Sequence, residues 1–305
     1  MSNLYDQLEV DINALHQRFN SQPDIMSHIN HKGNIVIRII NKVLCKLKIY
    51  QKLVESGFIR RWFIEFHNYW REVLGGRPLQ FHDFFYLYSW YRGKFSQVEV
   101  KYQSNEIDFI KSWQKPENIF LLFKLAYIDA LSPFAHYQFR QFIKNDDKIL
   151  EYGCGSAPII TSLINDNKVK HSFTIADIPQ YTYHYAKWRL RQYGVNFIDL
   201  QPFSLPIFDR KFNIIFLNQV LEHLPKPLET IKYLTENLEQ GGYLIFDYIL
   251  GEGKGLDTRE SINDRPQVLD YIKKHYLIKK GVLEYNKSMG ATVARKQFLK
   301  SHFDL

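Results

Sequence analysis

The sequence predicts an α/β fold: a mostly parallel sheet covered by helices, finished by a C-terminal antiparallel hairpin and preceded by a mostly helical, aromatic-rich region. Three observations carry that expectation. From Ile149 onward, short apolar runs alternate with helical patterns of about 10–15 residues, which is the signature of parallel strands joined by right-handed crossovers. Residues 149–158, Ile-Leu-Glu-Tyr-Gly-Cys-Gly-Ser-Ala-Pro, run from an apolar stretch through two glycines into a helix start at Pro158. Upstream, 14 residues between Phe58 and Phe95 are Phe, Tyr or Trp, and large aromatics at that density suit a helical core.

The elements follow in order. Residues 34–56 place Val36, Ile40, Val43, Leu44, Leu47 and Val54 at helical spacing, with Gly57 as the stop. A second helix is predicted from Ile59, Trp62, Phe63, Phe66, Trp70, Val73 and Leu74, ending at Gly75-Gly76 with Pro78 beyond. The run Phe81–Tyr88 is too uniformly aromatic to show a period. The polar residues 103–118 read as a connection, and Phe120–Phe142 as two helices. Ile149–Glu151 then forms the first strand, Ser172–Ala176 the second, Val195–Ile198 the third and Phe212–Leu217 the fourth. Gly241-Gly242 introduces a fifth, Tyr243–Phe246. Helices are expected at Tyr181–Tyr193, Pro227–Leu238 and Pro266–His275. Tyr276–Glu284 and Ala291–Gln297, separated by Asn286, Ser288 and Gly290, suit an antiparallel hairpin. The division expected is a helical region over 1–115 and an α/β domain over 116–305.

At 305 residues the chain has room for one large or two moderate domains. Hydrophobic content of 45% and charge of 24% are ordinary for a globular protein. No apolar run approaches the roughly 18 residues of a membrane span. Residues 1–13 carry three acids and no apolar core of a signal peptide, so a cytoplasmic location is expected. Two cysteines, Cys45 and Cys154, are too few for a disulfide framework or an iron–sulfur site. The net charge of +8 comes from scattered residues, with Lys42, Lys46, Lys48 and Lys52 on one predicted helix. A solvated helix face explains it better than nucleic-acid binding, with an acidic substrate as the alternative.

A strand, a glycine turn and a helix N-terminus together make a nucleotide-cofactor site, because the glycines let backbone N–H groups approach the ligand. The nicotinamide and flavin fingerprint requires a third glycine where Pro158 stands, which argues against those cofactors. Asp177 ends the second strand, 22 residues past Gly155, where a carboxylate accepts hydrogen bonds from ribose hydroxyls. With Glu151 before the turn, Ala157 after Gly155, Leu221-Glu222-His223-Leu224 after the fourth strand and Gly241-Gly242-Tyr243-Leu244-Ile245 at the fifth, residues from about 145 to 300 resemble the class I S-adenosylmethionine-dependent methyltransferases. That resemblance implies a Rossmann-like, seven-stranded, mostly parallel sheet and S-adenosyl-L-methionine as cofactor.

The same resemblance implies roles for individual residues. Gly153 and Gly155 approach the cofactor, Glu151 orients its methionine amino group, and Tyr152 and Cys154 contribute backbone. Asp177 holds the ribose and Ile178 packs on the adenine. For adenine N6 the candidates are Gln201, by its distance from Leu205-Pro206, and Asp199, by strand geometry. Asn218 meets the methionine portion. His223 is the candidate catalytic base, since an imidazole titrates near neutrality; a helix-start motif that fixes the loop is the alternative. Asn218-Gln219-Val220-Leu221 departs from the Asn/Asp-Pro-Pro-Tyr of adenine and glutamine N-methyltransferases. Gln219-x-x-Glu222-His223 resembles the divalent-ion motif of small-RNA 2′-O-methyltransferases with its first acid replaced, and no metal is expected. Near the sheet or in the aromatic region, His82, Tyr86, Tyr88, His136 and Tyr137 are candidates for acceptor contact.

These expectations combine into methyl transfer to a small-molecule acceptor, anionic or aromatic, most readily at oxygen, with the region before the sheet selecting the acceptor. An RNA or protein methyltransferase, or a non-catalytic cofactor-binding scaffold, would satisfy the same cofactor motifs.

Overall fold

The computed structural model describes residues 4, 5, 8, 60–74, 79, 81–95, 106–131, 135–166, 171–201, 203–251 and 256–297. The helix expected over 34–56, with its four lysines and Cys45, lies outside the described residues. The chain forms two compact units: 1–98 with 114–133, and 99–113 with 134–305.

In the first unit, helices α1 (Arg60–Leu74) and α2 (Phe81–Phe95) pack with a later helix, α4 (Ile119–Leu131). Phe66, Phe84 and Phe123 are fully buried at its centre. Their rings lie 5.0–5.5 Å apart, in edge-on and tilted arrangements that favour aromatic pairs beyond area burial alone. The run 81–88, without a readable period, forms the first half of α2, with Phe84, Phe85, Leu87 and Tyr88 buried. Its core face can be recognised only once α1 and α4 are in place.

The second unit contains α3 (Glu106–Trp113), in a segment expected to be a connection. Eight residues make a marginal helix in water, so its stability comes from burying Phe109 and Trp113, one turn apart. The sheet has seven strands: β1 (Lys148–Tyr152), β2 (Ser172–Asp177), β3 (Asn196–Asp199), β4 (Phe212–Leu217), β5 (Leu238–Tyr248), β6 (Tyr276–Lys280) and β7 (Met289–Lys296). Their order is β3-β2-β1-β4-β5-β7-β6. The first five are parallel, and β7 joins β5 and β6 antiparallel, as the hairpin pattern predicts.

Alternate residues of the central strands supply two cores. Ile149, Ile175, Ile214 and Phe216 face helices α5 (Pro158–Asp166) and α6 (Tyr181–Leu190). Leu150, Ala176, Ile215 and Leu217 face α7 (Pro227–Glu236) and α8 (Arg259–His275). Burial on both faces explains why neighbouring residues are apolar, Ile149-Leu150 in β1 and Ile214–Leu217 in β4.

Besides α3, the bounds of β5 and α8 differ from expectation. β5 begins five residues before Tyr243, and its pairing with β4 shifts between Phe212 and Ile214. Gly241, at φ +74°, absorbs this irregularity in a conformation that a side chain disfavours. α8 starts at Arg259 rather than Pro266, because the Thr258 hydroxyl accepts a hydrogen bond from Ser261 N at 3.0 Å and caps it. Pro266 sits inside the helix, where the burial of Val268, Leu269 and Ile272 offsets its cost of about 3 kcal/mol.

Candidate active site

The strand order reverses between β1 and β4: β1 is followed by β2 on one side, and β4 by β5 on the other. In open α/β sheets that point leaves a crevice at the carboxyl ends of the strands. The turn after β1 forms one wall. Gly153, Gly155 and Ala157 all adopt positive φ, at 63°, 53° and 54°. Gly153 N and Cys154 N donate to the Ala176 carbonyl, at 2.7 and 3.2 Å, which ties the turn to the end of β2. A Cβ on Gly153 would stand 2.6 Å from Val220 Cγ2. The turn after β4 therefore rests directly on the glycine turn, and both conformation and space require glycine there.

Strand alternation sends Glu151 toward α5 and Tyr152 toward the opposite core. Glu151 is 3% exposed, and its carboxylate caps α5 by accepting from Ile159 N at 3.3 Å and Ile160 N at 2.9 Å. The Tyr152 ring is buried in that core, and burial foremost raises its phenol. Cys154 is buried too, and burial raises its thiol well above the usual range, which removes it as a nucleophile.

Asp177 joins the two walls of the glycine turn. Its Oδ2 accepts from Gly155 N at 2.7 Å, and its Oδ1 from Ile178 N at 2.7 Å and the Gln180 amide at 3.1 Å. Burial raises its carboxyl to about 6, against the lowering effect of those three donors. A carboxylate has about four acceptor positions, so one remains for a ligand hydroxyl. Ile178 packs on the second core beside it. Asp199 is exposed and paired with Lys187 at 2.9 Å, while Gln201, two residues on, is exposed without that ion pair.

The turn after β4 holds the second group of side chains. Gln219 N donates to Asp247 Oδ1 at the end of β5, with Gln219 itself at φ +57°. The Oδ1 atom of Asn218 is buried without a hydrogen-bond partner. His223 Nδ1 lies 3.1 Å from the Leu256 carbonyl and 3.3 Å from Asp257 Oδ1. Both neighbours are acceptors, so the proton belongs on Nδ1 and the lone pair on Nε2. Burial lowers His223 to about 4, below the near-neutral titration expected from the sequence, so the ring is neutral at physiological pH and a weaker base than a free imidazole. Glu222 is the reverse case. Burial foremost, with the charges of Asp247 and Asp257, raises it to about 8 against the lowering effect of backbone hydrogen bonds from Glu222 and Ile249, and its Oε2 has no partner.

α3 closes over these ends: Phe109 packs edge-on against Phe203 beyond β3, and Trp113 edge-on against His223 at 5.3 Å. Trp113, Asp247 and Asp257 carry no signal in the sequence. Asp257 follows β5 by nine residues, and no spacing relates it to His223. Among the other acceptor candidates, His136 is buried between Ser162 Oγ, at 2.9 Å, and Asp166 Oδ2, at 3.3 Å, a structural bridge between 137–142 and α5. Tyr137 is exposed, and Tyr86 and Tyr88 belong to the first unit. The side chain of His82 lies outside the described residues. Among the described residues no group of three or more His, Cys, Asp or Glu side chains is arranged to hold a metal ion, and no helix is long and apolar enough to cross a membrane.

Solved structures similar to the chain include a SAM-dependent methyltransferase from Aquifex aeolicus (18% identity over 57% of this chain and 97% of that one, TM-score 0.43). Another is the N-methyltransferase NodS from Bradyrhizobium japonicum WM9, solved with S-adenosyl-L-homocysteine (15% identity, 54% and 88% coverage, TM-score 0.41). No curated protein matches the chain by sequence. Residues 124–280, half of the chain, match the family described as "Methyltransferase domain". With the seven-stranded sheet and the glycine turn already in place, the chain belongs to this family, as a class I methyltransferase whose cofactor is S-adenosyl-L-methionine.

Proposed function

We propose that the protein methylates the hydroxyl of a small aromatic molecule, with His223 as the base. The observation that carries this reading is the pairing of His223 with Asp257. A carboxylate and a carbonyl hold Nδ1–H, which fixes the ring and leaves Nε2 unprotonated to receive a proton, as in other carboxylate-oriented histidine bases. Of the anionic and aromatic acceptors expected from the sequence, the aromatic one is favoured. Asp247 and Asp257 oppose a negative group beside His223, whereas Trp113 offers an aromatic wall. Trp113 lies within the 1–115 region to which acceptor selection is assigned.

The residues available suit the cofactor. Asp177 retains one acceptor position for a ribose hydroxyl, next to the Ile178 side chain on which the adenine stacks. The unpartnered Asn218 Oδ1 is an acceptor for the methionine ammonium group. Glu151 acts through α5, presenting the glycine turn and the helix end to the methionine portion. Gln201 rather than Asp199 meets the adenine amino group, because Asp199 is committed to Lys187. Bound S-adenosylmethionine supplies an electrophilic methyl group on its sulfonium. The protein's own contribution is alignment, worth up to about 7–11 kcal/mol in favourable cases, and removal of the acceptor proton.

The test uses tritium-labelled S-adenosylmethionine with panels of phenols, amines and total RNA. Label is expected in phenols, and His223→Gln is expected to lower turnover by about 10²–10⁴-fold with cofactor affinity unchanged. Label appearing in RNA, or only in amines, would overturn the reading. So would a His223→Gln enzyme with normal turnover.

A further inference from the structure

Glu222 has no part in the proton transfer proposed above, yet it is the most deeply buried carboxyl in the turn after β4. It is 3% exposed, with Oε2 unpartnered and Oε1 4.0 Å from His223 Nε2. Several ionisable groups surround it: His223 from its own turn, Asp247 and Tyr248 from β5, Asp257 from the segment before α8, and Arg265 from α8. Arg265 is spent on backbone carbonyls, donating to Tyr248, Glu284, Tyr285 and Lys287. Arg265 keeps its positive charge there, set against the carboxyl groups of Asp247 and Asp257. In the same turn Asn218 Oδ1 is also a buried acceptor without a donor, and Val220 between them rests on Gly153. Two unmatched oxygen acceptors thus stand beside the glycine turn, where a buried oxygen ordinarily has a partner.

We propose that Glu222 distinguishes the cationic cofactor from its neutral product: it carries a proton in the free protein and releases it to solvent when the sulfonium of S-adenosylmethionine binds beside this turn. A buried carboxyl among other carboxylates holds its proton until a positive charge arrives, and a cation within a few ångströms favours the ionised form. The rise of Glu222 to about 8 agrees with that state in the free protein. S-adenosylhomocysteine has lost the positive charge, so Glu222 takes its proton back as the product forms, and product affinity falls relative to that of the donor. The inference rests on the cofactor and its place beside the β4 turn, and is independent of which acceptor is methylated.

Calorimetric titration of the full-length protein with S-adenosylmethionine and with S-adenosylhomocysteine, at pH 7.0 in buffers of differing ionisation heat, counts the protons released. Ribose and adenine are common to both ligands, so any contribution from Asp177 cancels in the comparison. The expected result is about half a proton or more released with the sulfonium ligand in excess of the thioether. The ratio of the two affinities should rise about tenfold between pH 6.5 and 8.5. Titration of the ligand's own amino group works against that rise, since a bound ammonium is lost as pH increases. In Glu222→Gln the excess release and the rise should vanish. Equal proton release with both ligands and a flat ratio in the wild-type protein would overturn the inference, whether or not the variant folds. Binding of neither ligand would overturn it together with the cofactor site.

Discussion

Asp177→Asn is nearly isosteric, yet it should damage both the site and the fold by amounts the structure allows to be separated. In the wild-type protein Gly155 N–H and Ile178 N–H approach different oxygens of the carboxylate, each at 2.7 Å. An amide has one oxygen, so either orientation sets an NH₂ group against a backbone N–H. An unsatisfied buried donor costs about 1–3 kcal/mol, which lowers the unfolding midpoint by several degrees in a protein of this size. The ligand loses in addition a charge-assisted hydrogen bond of roughly 1.5–3 kcal/mol, about 10–150-fold in affinity. The pH dependence supplies a further check. Because Asp177 titrates at about 6, wild-type affinity for S-adenosylmethionine should decline as pH falls through 6, where the carboxylate gains a proton and loses an acceptor. Its effect on folding has the opposite sign. A folded-state value raised above the unfolded one means the folded protein binds the proton more tightly, so Asp177's contribution to stability grows as pH falls from about 6 toward 4 and is lost above 6. Calorimetry at pH 7.5 and 5.5 measures the affinities. An Asp177→Asn protein that binds within about twofold of wild type, together with a wild-type affinity that is flat across this range, would show that Asp177 does not hold the ligand.

Gly153→Ala should destabilise the protein by about 1–3 kcal/mol, because the new methyl meets Val220 and the backbone stays at positive φ. Adding Val220→Ala should recover only the steric part in chemical denaturation, and full recovery would show that the conformation carries no cost. Arg265→Met should cost at least about 1–3 kcal/mol and accelerate amide exchange across 281–288, since Arg265 gathers carbonyls from Glu284, Tyr285 and Lys287. Unchanged exchange there would show that the loop is held by other contacts. Because His223 lies at about 4, the pH–rate profile for a phenolic acceptor should lack the rising limb of an unperturbed histidine between pH 6 and 7. A limb centred near 6.5 would contradict the half-buried, neutral ring.

The sheet was legible because strands buried on both faces leave short apolar stretches such as Ile214–Leu217, and the glycine turn because the chain must bend there at positive φ. β5 was harder to delimit: its first residues, Leu238-Glu239-Gln240, precede the glycine pair that normally marks a turn. α3 escaped notice because Phe109 and Trp113, which anchor it, pack against residues about 90 to 110 positions away. The same distance hides the chemistry. His223 stood out as a histidine past a strand end, but Asp257, which orients it, and Trp113, which covers it, come from segments that only folding brings together. Glu151 shows the converse. Its position was readable, yet its observed hydrogen bonds go to the start of α5, because strand alternation aims it at that helix.

A crystal structure of the protein with S-adenosylhomocysteine decides whether the crevice between the carboxyl ends of β1 and β4 holds the cofactor. A ribose hydroxyl is expected at hydrogen-bond distance, about 2.5–3.0 Å, from the Asp177 carboxylate. The amino group is expected to face Asn218 Oδ1, with the sulfur beside the Val220–Glu222 turn. A ligand bound elsewhere, or one in the crevice with its ribose turned away from Asp177, would contradict that placement.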